Sequence, residues 1–282
     1  MQYTLAGIQA VATADPARNL NHLVQLTEIA ATRGAAIVLL PQLCTTQWFP
    51  ARQNGGVPLE SHRDALATFQ ACAKAHSVHL VAPMPERPRK NRHEWFNSAF
   101  VIDPDGKLVG IHQKRHLPDL DGYREKGYFT PGQGPLPVFD LGGLKTGIQI
   151  CWDNYFPEGA RLLALAGAQL IFAPTAAAFD SQERWRGLLC SHALCNNLYL
   201  FRLNRVGEEG AMAFYGQSFC ADPFGELVAE PAGSTEAIVM ATIDTDQVDE
   251  ARRVTRFLAD RQPEIYGPLA EPAAGNGTSA AG

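Results

Sequence analysis

The chain has 282 residues, 46% of them hydrophobic, enough to build a substantial core in one large domain or two small ones. Its formal net charge of -5 and isoelectric point near 5.9 argue against a nucleic-acid-binding protein. Arg87-Pro88-Arg89-Lys90 with Arg92 is the densest basic stretch and reads as a solvated turn. No apolar run approaches a membrane span, and Met1-Gln2-Tyr3 leads into a strand rather than a signal peptide, so the expected location is the cytoplasm, with no membrane partner.

Tyr3 to Ala10 reads as a strand. Asp15-Pro16 then supplies an N-cap followed by proline in the first helical turn, and the helix runs to about Thr32 before Gly34. Leu20, Leu23, Val24 and Ala30 form its apolar face. Ile37 to Leu40 is short and wholly apolar, as expected of a central strand covered on both faces, and Pro41-Gln42-Leu43 follows at its carboxyl edge. After a loop containing Asn54-Gly55-Gly56 and Pro58, a helix is expected over Ser61 to Ala75. A strand follows at Val78 to Pro83, then a charged, exposed excursion over Glu86 to Glu94.

Phe96 to Ile102 and Lys107 to Gln113 flank Asp103-Pro104-Asp105-Gly106, a hairpin signal that implies a mixed sheet. Lys114 to Pro135 is a long polar loop, a length uncommon in a compact enzyme unless the loop shapes a site. Leu144 to Ile150 reads as a buried strand and Glu158 to Gly167 as the helix after it. A strand at Ala168 to Ala173 ends near Pro174-Thr175; a helix over Glu183 to Cys195 leads to a strand at Leu198 to Leu203, with Asn204-Arg205 at its end. Phe214 to Ala221 and Glu226 to Ala229 read as strands joined by Asp222-Pro223-Phe224-Gly225. Ala237 to Ile243 completes the sheet material, and Asp244 caps a helix near Val248 to Arg252. Residues 1-268 are expected to form one domain and 269-282, rich in Ala and Gly, a flexible tail.

Cys44, Cys72, Cys151, Cys190, Cys195 and Cys220 are scattered in a chain too large to need disulfides and read as reduced, with Cys190 and Cys195 as packing residues. No Cys-x-x-Cys pair, His-Glu-x-x-His or phosphate-binding glycine loop occurs, so no metal or cofactor is expected. Cys151 stands apart, because it falls at the carboxyl edge of a strand, where open α/β sheets present their chemistry. The competing reading is a packed thiol, since free Cys is among the most buried residue types.

The stretch Ile150-Cys151-Trp152-Asp153-Asn154-Tyr155-Phe156-Pro157-Glu158 resembles the nucleophile motif of the nitrilase superfamily, carbon-nitrogen hydrolases that attack amides, carbamoyl groups or nitriles with a cysteine. Its Cys-Trp-Asp opening and Phe-Pro-Glu close look most like the N-carbamoylputrescine amidase branch, and the resemblance extends over Tyr3 to Pro268. It implies a four-layer α-β-β-α sandwich with mixed sheets. It also implies a Glu-Lys-Cys set in which Lys114, within His112-Gln113-Lys114-Arg115-His116, stabilises the tetrahedral intermediate and Glu125 orients that lysine. The general base should lie in Leu40-Pro41-Gln42-Leu43, where the family has Pro-Glu-Leu and this chain has Gln42. An amide can hydrogen-bond in place of a carboxylate but cannot accept the thiol proton. Gln42 is then a substitution that traps substrate, a natural change in a non-catalytic relative, or a change partly covered by Glu125; the expectation is an enzyme by class, impaired at this position.

Expected substrate contacts are Trp152, Asp153, Tyr155, Tyr123, Asn97, Thr175 and His192, with the main-chain NH of Trp152 on the carbonyl oxygen and Trp48 and Phe49 as further pocket candidates. The expected reaction is hydrolysis of an N-carbamoyl amine such as N-carbamoylputrescine, releasing ammonia and CO2. The alternatives are an ω-amidase, an aliphatic amidase, or a non-catalytic binding protein on the same fold. A carbamoylputrescine ammonium would call for an acid at Asp153, Glu158 or Glu183, whereas an arginine-lined end would suit an N-carbamoyl amino acid. The resemblance further implies a dimer or larger even-numbered oligomer, joined through the helix after Glu158 and the segment from Arg252 to Tyr266.

Overall fold

The structure, a computed structural model, describes residues 1–53, 55–58, 62–88, 93–178 and 181–271. In chain order the elements are β1 (Gln2–Gln9), α1 (Pro16–Thr32), β2 (Ile37–Leu39), α2 (Arg63–His76), β3 (His79–Glu86), β4 (Phe96–Ile102), β5 (Leu108–Gln113), β6 (Asp119–Leu120) and β7 (Tyr123–Arg124). They continue with β8 (Val138–Leu141), β9 (Leu144–Ile148), α3 (Pro157–Leu165), β10 (Leu170–Thr175), α4 (Gln182–Asn196), β11 (Tyr199–Asn204), β12 (Val206–Glu209), β13 (Met212–Tyr215), β14 (Phe219–Ala221), β15 (Ala237–Asp244) and α5 (Thr245–Thr255).

Two mixed sheets face each other. The first runs β15-β1-β2-β3-β4-β5 and the second β14-β11-β10-β9-β8. Apolar residues from facing sides, among them Leu5, Leu39, Val81 and Val101 from the first sheet and Ile148, Phe172, Phe201 and Leu203 from the second, share one core. Gly7 lies where the sheets come closest: a Cβ there would sit 2.9 Å from Leu203 Cδ1 and 3.0 Å from Phe201 Cζ. The opposite side of the first sheet, with Ile8, Val38, Leu80 and Phe100, packs on Leu23 of α1 and Phe69 of α2. Helices α3 and α4 cover the second sheet through Leu163 and Leu189. This is the expected α-β-β-α sandwich.

Local chemistry explains the elements. Asp15 caps α1, its side chain accepting from Ala17 N and Arg18 N, with Pro16 in the first turn. The β4–β5 hairpin closes through Gly106 N–H to Asp103 O at 2.9 Å, with Gly106 at φ +79. Asp244 caps α5 by accepting from Asp246 N.

Four expectations need correction. Glu86 does not open an exposed excursion; β3 extends to it, and its buried carboxylate accepts Ser98 Oγ at 2.7 Å and Gln113 Nε2 at 2.9 Å. Phe214 to Ala221 is not one strand: β13 pairs with β12, β14 pairs with β11, and Gly216 at φ +67 turns the chain between them. Glu226 to Ala229 contributes only a bridge from Leu227 to Ala221. Cys195 is exposed rather than packed, although all six cysteines are free as expected. The Asn54 and Ser61 ends of the α2 approach, Arg89-Lys90 with Arg92, and the tail from 272 to 282 lie outside the described residues.

Candidate active site

The sandwich brings chemistry from both sheets to one edge. In the first sheet β2 and β3 run parallel, β4 runs antiparallel to β3, and β5 antiparallel to β4. The carboxyl ends of β2 and β5 and the start of β4 therefore share an edge, which carries Gln42, Lys114 and Asn97. In the second sheet β9, β10 and β11 are parallel, and Cys151, Thr175 and Asn204 follow or close them. Cys151 at φ +50 and Leu43, next to Gln42, at φ +51 are non-glycine residues in the left-handed region. Such strain persists only where neighbouring structure imposes it.

Those neighbours are visible. Arg205 donates through Nη1 to Gln42 O (2.7 Å) and Leu43 O (3.0 Å) and through Nη2 to Thr46 O (2.7 Å), fixing the turn after β2. Its charge is met by Glu209, which accepts from Nε and Nη2 at 2.9 and 2.7 Å and from Trp48 N. At the cysteine turn, Asn154 Nδ2 donates to Cys151 O (2.9 Å) and Gln149 O (3.0 Å), while His192 Nε2 lies 2.8 Å from Asn154 O.

Between them lies a buried polar centre. Lys114 Nζ donates to Glu125 Oε1 at 2.6 Å, and neither side chain touches solvent. The same oxygen accepts Gln42 Nε2 at 3.3 Å, and Asn97 Nδ2 donates to Glu125 Oε2 at 3.1 Å. Gln42 is fully buried and its Oε1 has no donor among the described residues. Cys151 is 4% exposed. Burial pushes its thiol pKa up; the Lys114 ammonium opposes that, Glu125 reinforces it, and the Ala176 N–H and the Arg202 guanidinium favour the thiolate. The centre thus holds a thiol, one ammonium, one carboxylate and two carboxamides.

The other expected contacts fall into two groups. Trp152 and Tyr155 are half-buried with ring centroids 4.7 Å apart, and Tyr123 accepts Ala178 N–H on its hydroxyl at 3.0 Å while its ring packs edge-on to Trp48. The remainder serve the scaffold. Thr175 Oγ1 turns to Leu203 O and Asn204 Oδ1, and His192 reaches the centre only through the backbone of Asn154. Asp153 is buried and saturated: Oδ1 accepts Arg115 N (3.2 Å), His116 N (2.8 Å) and pairs with His116 Nδ1 (2.8 Å), and Oδ2 accepts Ile150 N (3.1 Å). Burial pushes its pKa up, but the neighbouring His112 and His116 imidazoles, together with the Lys114 ammonium, outweigh it and hold the carboxyl below the usual range. Asp153 therefore ties the cysteine turn to the segment after Lys114. Glu158 and Glu183 are exposed on α3 and α4. Sequence reasoning missed the Arg205–Glu209 pair and the His116–Asp153 link; the signal for the former was Asn204-Arg205 at the end of a mostly apolar strand.

Residues 4–253 match the model of the carbon-nitrogen hydrolase family. The chain belongs to that family. It is 35% identical over 283 aligned positions to an N-carbamoylputrescine amidase from Solanum lycopersicum, covering 93% of each chain. A crystal structure of a carbon-nitrogen hydrolase from Helicobacter pylori G27 superposes with a TM-score of 0.90 at 31% identity, over 96% of this chain and 99% of that one. An amidase from Nesterenkonia sp. AN1, a glutamate-to-glutamine mutant with the acetamide moiety of fluoroacetamide on its active-site cysteine, superposes with a TM-score of 0.81 at 28% identity, over 94% of this chain and 95% of that one. The chemistry of this carbon-nitrogen hydrolase is thus cysteine-dependent. Among the described residues no group of three or more His, Cys, Asp and Glu could hold a metal ion, and no helix is long and apolar enough to cross a membrane.

Proposed function

We propose that this carbon-nitrogen hydrolase attacks the terminal carboxamide or ureido carbon of a small molecule with Cys151, and that Lys114, Glu125 and residue 42 are its working partners. The observation that carries this reading is the buried Lys114–Glu125 contact of 2.6 Å, shared by Gln42 and lying within electrostatic reach of Cys151. The thiolate adds to the carbonyl carbon, and the oxyanion is met by the Lys114 ammonium and the Trp152 N–H. Expulsion of ammonia leaves a thioester, or a thiocarbamate from a ureido substrate. Water then releases the acid, or a carbamic acid that loses CO2 to give the amine. A ureido substrate is supported by the similarity to N-carbamoylputrescine amidase; ω-amidase and aliphatic amidase activity share every step up to the acyl enzyme.

Gln42 divides the cycle. It cannot carry a proton, and Glu125 has Lys114 on one oxygen and Asn97 on the other. Covalent capture is therefore easier than turnover. Fluoroacetamide should add once to the native protein, with peptide mapping placing the acetamide on Cys151, and Cys151→Ala should abolish that adduct. Faster labelling with rising pH is expected, because burial holds the thiol protonated. Modification confined to the exposed Cys195 would reject the assignment.

The assembly proposed is a dimer or larger even-numbered oligomer. Its support is an apolar groove between α3, α4 and the segment after α5, lined by Leu162, Leu165, Leu188, Phe257, Tyr266 and Leu269.

A further inference from the structure

Strand β11 carries a buried arginine that the Cys151 chemistry does not use. Phe201 and Leu203 face the other sheet at Gly7, so strand alternation turns Arg202 toward the α4 layer. It is 1% exposed. Its guanidinium donates to Tyr215 Oη (2.7 Å), Gln217 O (3.2 Å) and Gly216 O (3.5 Å), and lies 5.3, 5.1 and 5.9 Å from the ring centroids of Trp185, Tyr215 and Phe219. No carboxylate pairs with it among the described residues, and Nε has no acceptor there. Arg205, three residues on, is the internal comparison: equally buried, it holds Glu209 with Nε and Nη2 and three carbonyls with Nη1 and Nη2. A buried charge without a counter-ion is costly. Five N–H donors allow Arg202 to keep its three contacts and still offer Nε–H and a second Nη2 hydrogen as a fork.

Arg202 also lies within electrostatic reach of the reacting thiol. From the cysteine turn, Trp152 contacts Tyr155 (4.7 Å between centroids), Tyr155 contacts Trp185 (5.1 Å), and Arg202 lies over Trp185. Arg202 favours the Cys151 thiolate, and Cys151 in turn favours charged Arg202 against the burial that opposes it. The acids expected to meet a substrate cation are occupied or turned outward: Asp153 is saturated by four hydrogen-bond donors, and Glu158 and Glu183 are exposed.

We propose that Arg202 is the counter-charge for a carboxylate on the substrate, which makes the preferred substrate a small ureido or amide acid rather than a ureido amine. This rests on Cys151 being the nucleophile of the same pocket. The carboxylate takes the Nε–Nη2 fork while the carbamoyl or carboxamide carbon lies at Sγ, and the aromatic rings around the guanidinium exclude water from the pair.

Three ligands of matched length separate the readings: 4-ureidobutyrate, N-carbamoylputrescine and butylurea share a ureido head and differ in the charge of the far end. Binding is measured by calorimetry on the full chain carrying Cys151→Ala, and by protection of Cys151 from fluoroacetamide in the native chain. The expected order is 4-ureidobutyrate at least about tenfold tighter than butylurea, the usual scale for a charged hydrogen bond, with N-carbamoylputrescine weakest. Arg202→Met should erase the preference of 4-ureidobutyrate over butylurea, and Arg202→Lys should retain part of it. Equal binding of all three, tighter binding of the amine, or a preference that survives Arg202→Met overturns the proposal and makes Arg202 a structural cation. If Arg202→Met does not fold, the three-ligand order in the arginine-containing chain still decides. If none of the three ligands binds or protects Cys151, the proposal falls; if fluoroacetamide does not label Cys151 in the native chain, the nucleophile reading falls with it.

Discussion

Asp153 shows how one side chain can hold a site without facing it. Its carboxylate receives donors from Ile150, Arg115 and His116, so the turn that presents Cys151 and the segment that follows Lys114 share one anion. Asp153→Asn keeps the shape but replaces an acceptor oxygen with a donor facing other donors. The expected loss is about 2–4 kcal/mol of unfolding free energy near neutral pH, the scale for disrupting buried charged hydrogen bonds. The folded-state pKa is depressed, so this stabilisation is present above the unfolded value of about 4 and disappears as pH falls through the folded one. Urea titrations of both proteins should thus show a gap that is wide at pH 7 and narrows on acidification; a constant gap would assign the effect to packing alone.

Among the elements, those with local signals were legible. Asp15-Pro16 marked α1, Asp103-Pro104-Asp105-Gly106 marked the β4–β5 hairpin, and the apolar runs marked the central strands of both sheets. The hairpin gives a quantitative check: Gly106 has φ +79, and a Cβ there would lie 2.6 Å from Gln70 O. Gly106→Ala should cost roughly 1–2 kcal/mol in urea unfolding, from the disfavoured φ and the clash combined; a neutral effect would mean that the turn relaxes freely. What the sequence hid were partnerships across elements. Glu86 looked like the start of a charged loop because its acceptor role depends on Ser98 and Gln113 from two other strands. The stretch from Phe214 to Ala221 hid a turn at Gly216-Gln217-Ser218, where Gly216 N–H bonds back to Arg205 O while Ser218 Oγ takes Asn204 N–H, both decided by tertiary contact. Glu125 carries no local signal of burial, and only the family resemblance pointed to it; Arg202 was not singled out at all, since a lone arginine in a strand says nothing of what surrounds it.

At the scale of the molecule, two sheets must stay in register for one centre to exist, and the surface beside them suggests how. The groove next to α3 leaves Leu162 57%, Phe257 43% and Leu269 67% exposed, and His192 links its wall to the cysteine turn through Asn154 O. Light scattering should give at least a dimer that Leu162→Glu weakens or dissociates, whereas a concentration-independent monomer would contradict that assembly. The central claim is that Cys151 from one sheet works with Lys114, Glu125 and residue 42 gathered at the edge of the other, and that Gln42 limits turnover. Replacing Gln42 puts a second carboxylate 3.3 Å from Glu125 Oε1, where two acids beside one lysine share a proton and one of them gains a raised pKa suited to proton transfer. The most direct measurement is ammonia release from ureido and amide substrates by the native chain and by Gln42→Glu, with Cys151→Ala added to the latter. The account predicts a gain of about 10²-fold or more, the scale of a positioned general base, and its complete loss without the thiol. Turnover unchanged by Gln42→Glu, or activity that persists without Cys151, would contradict it.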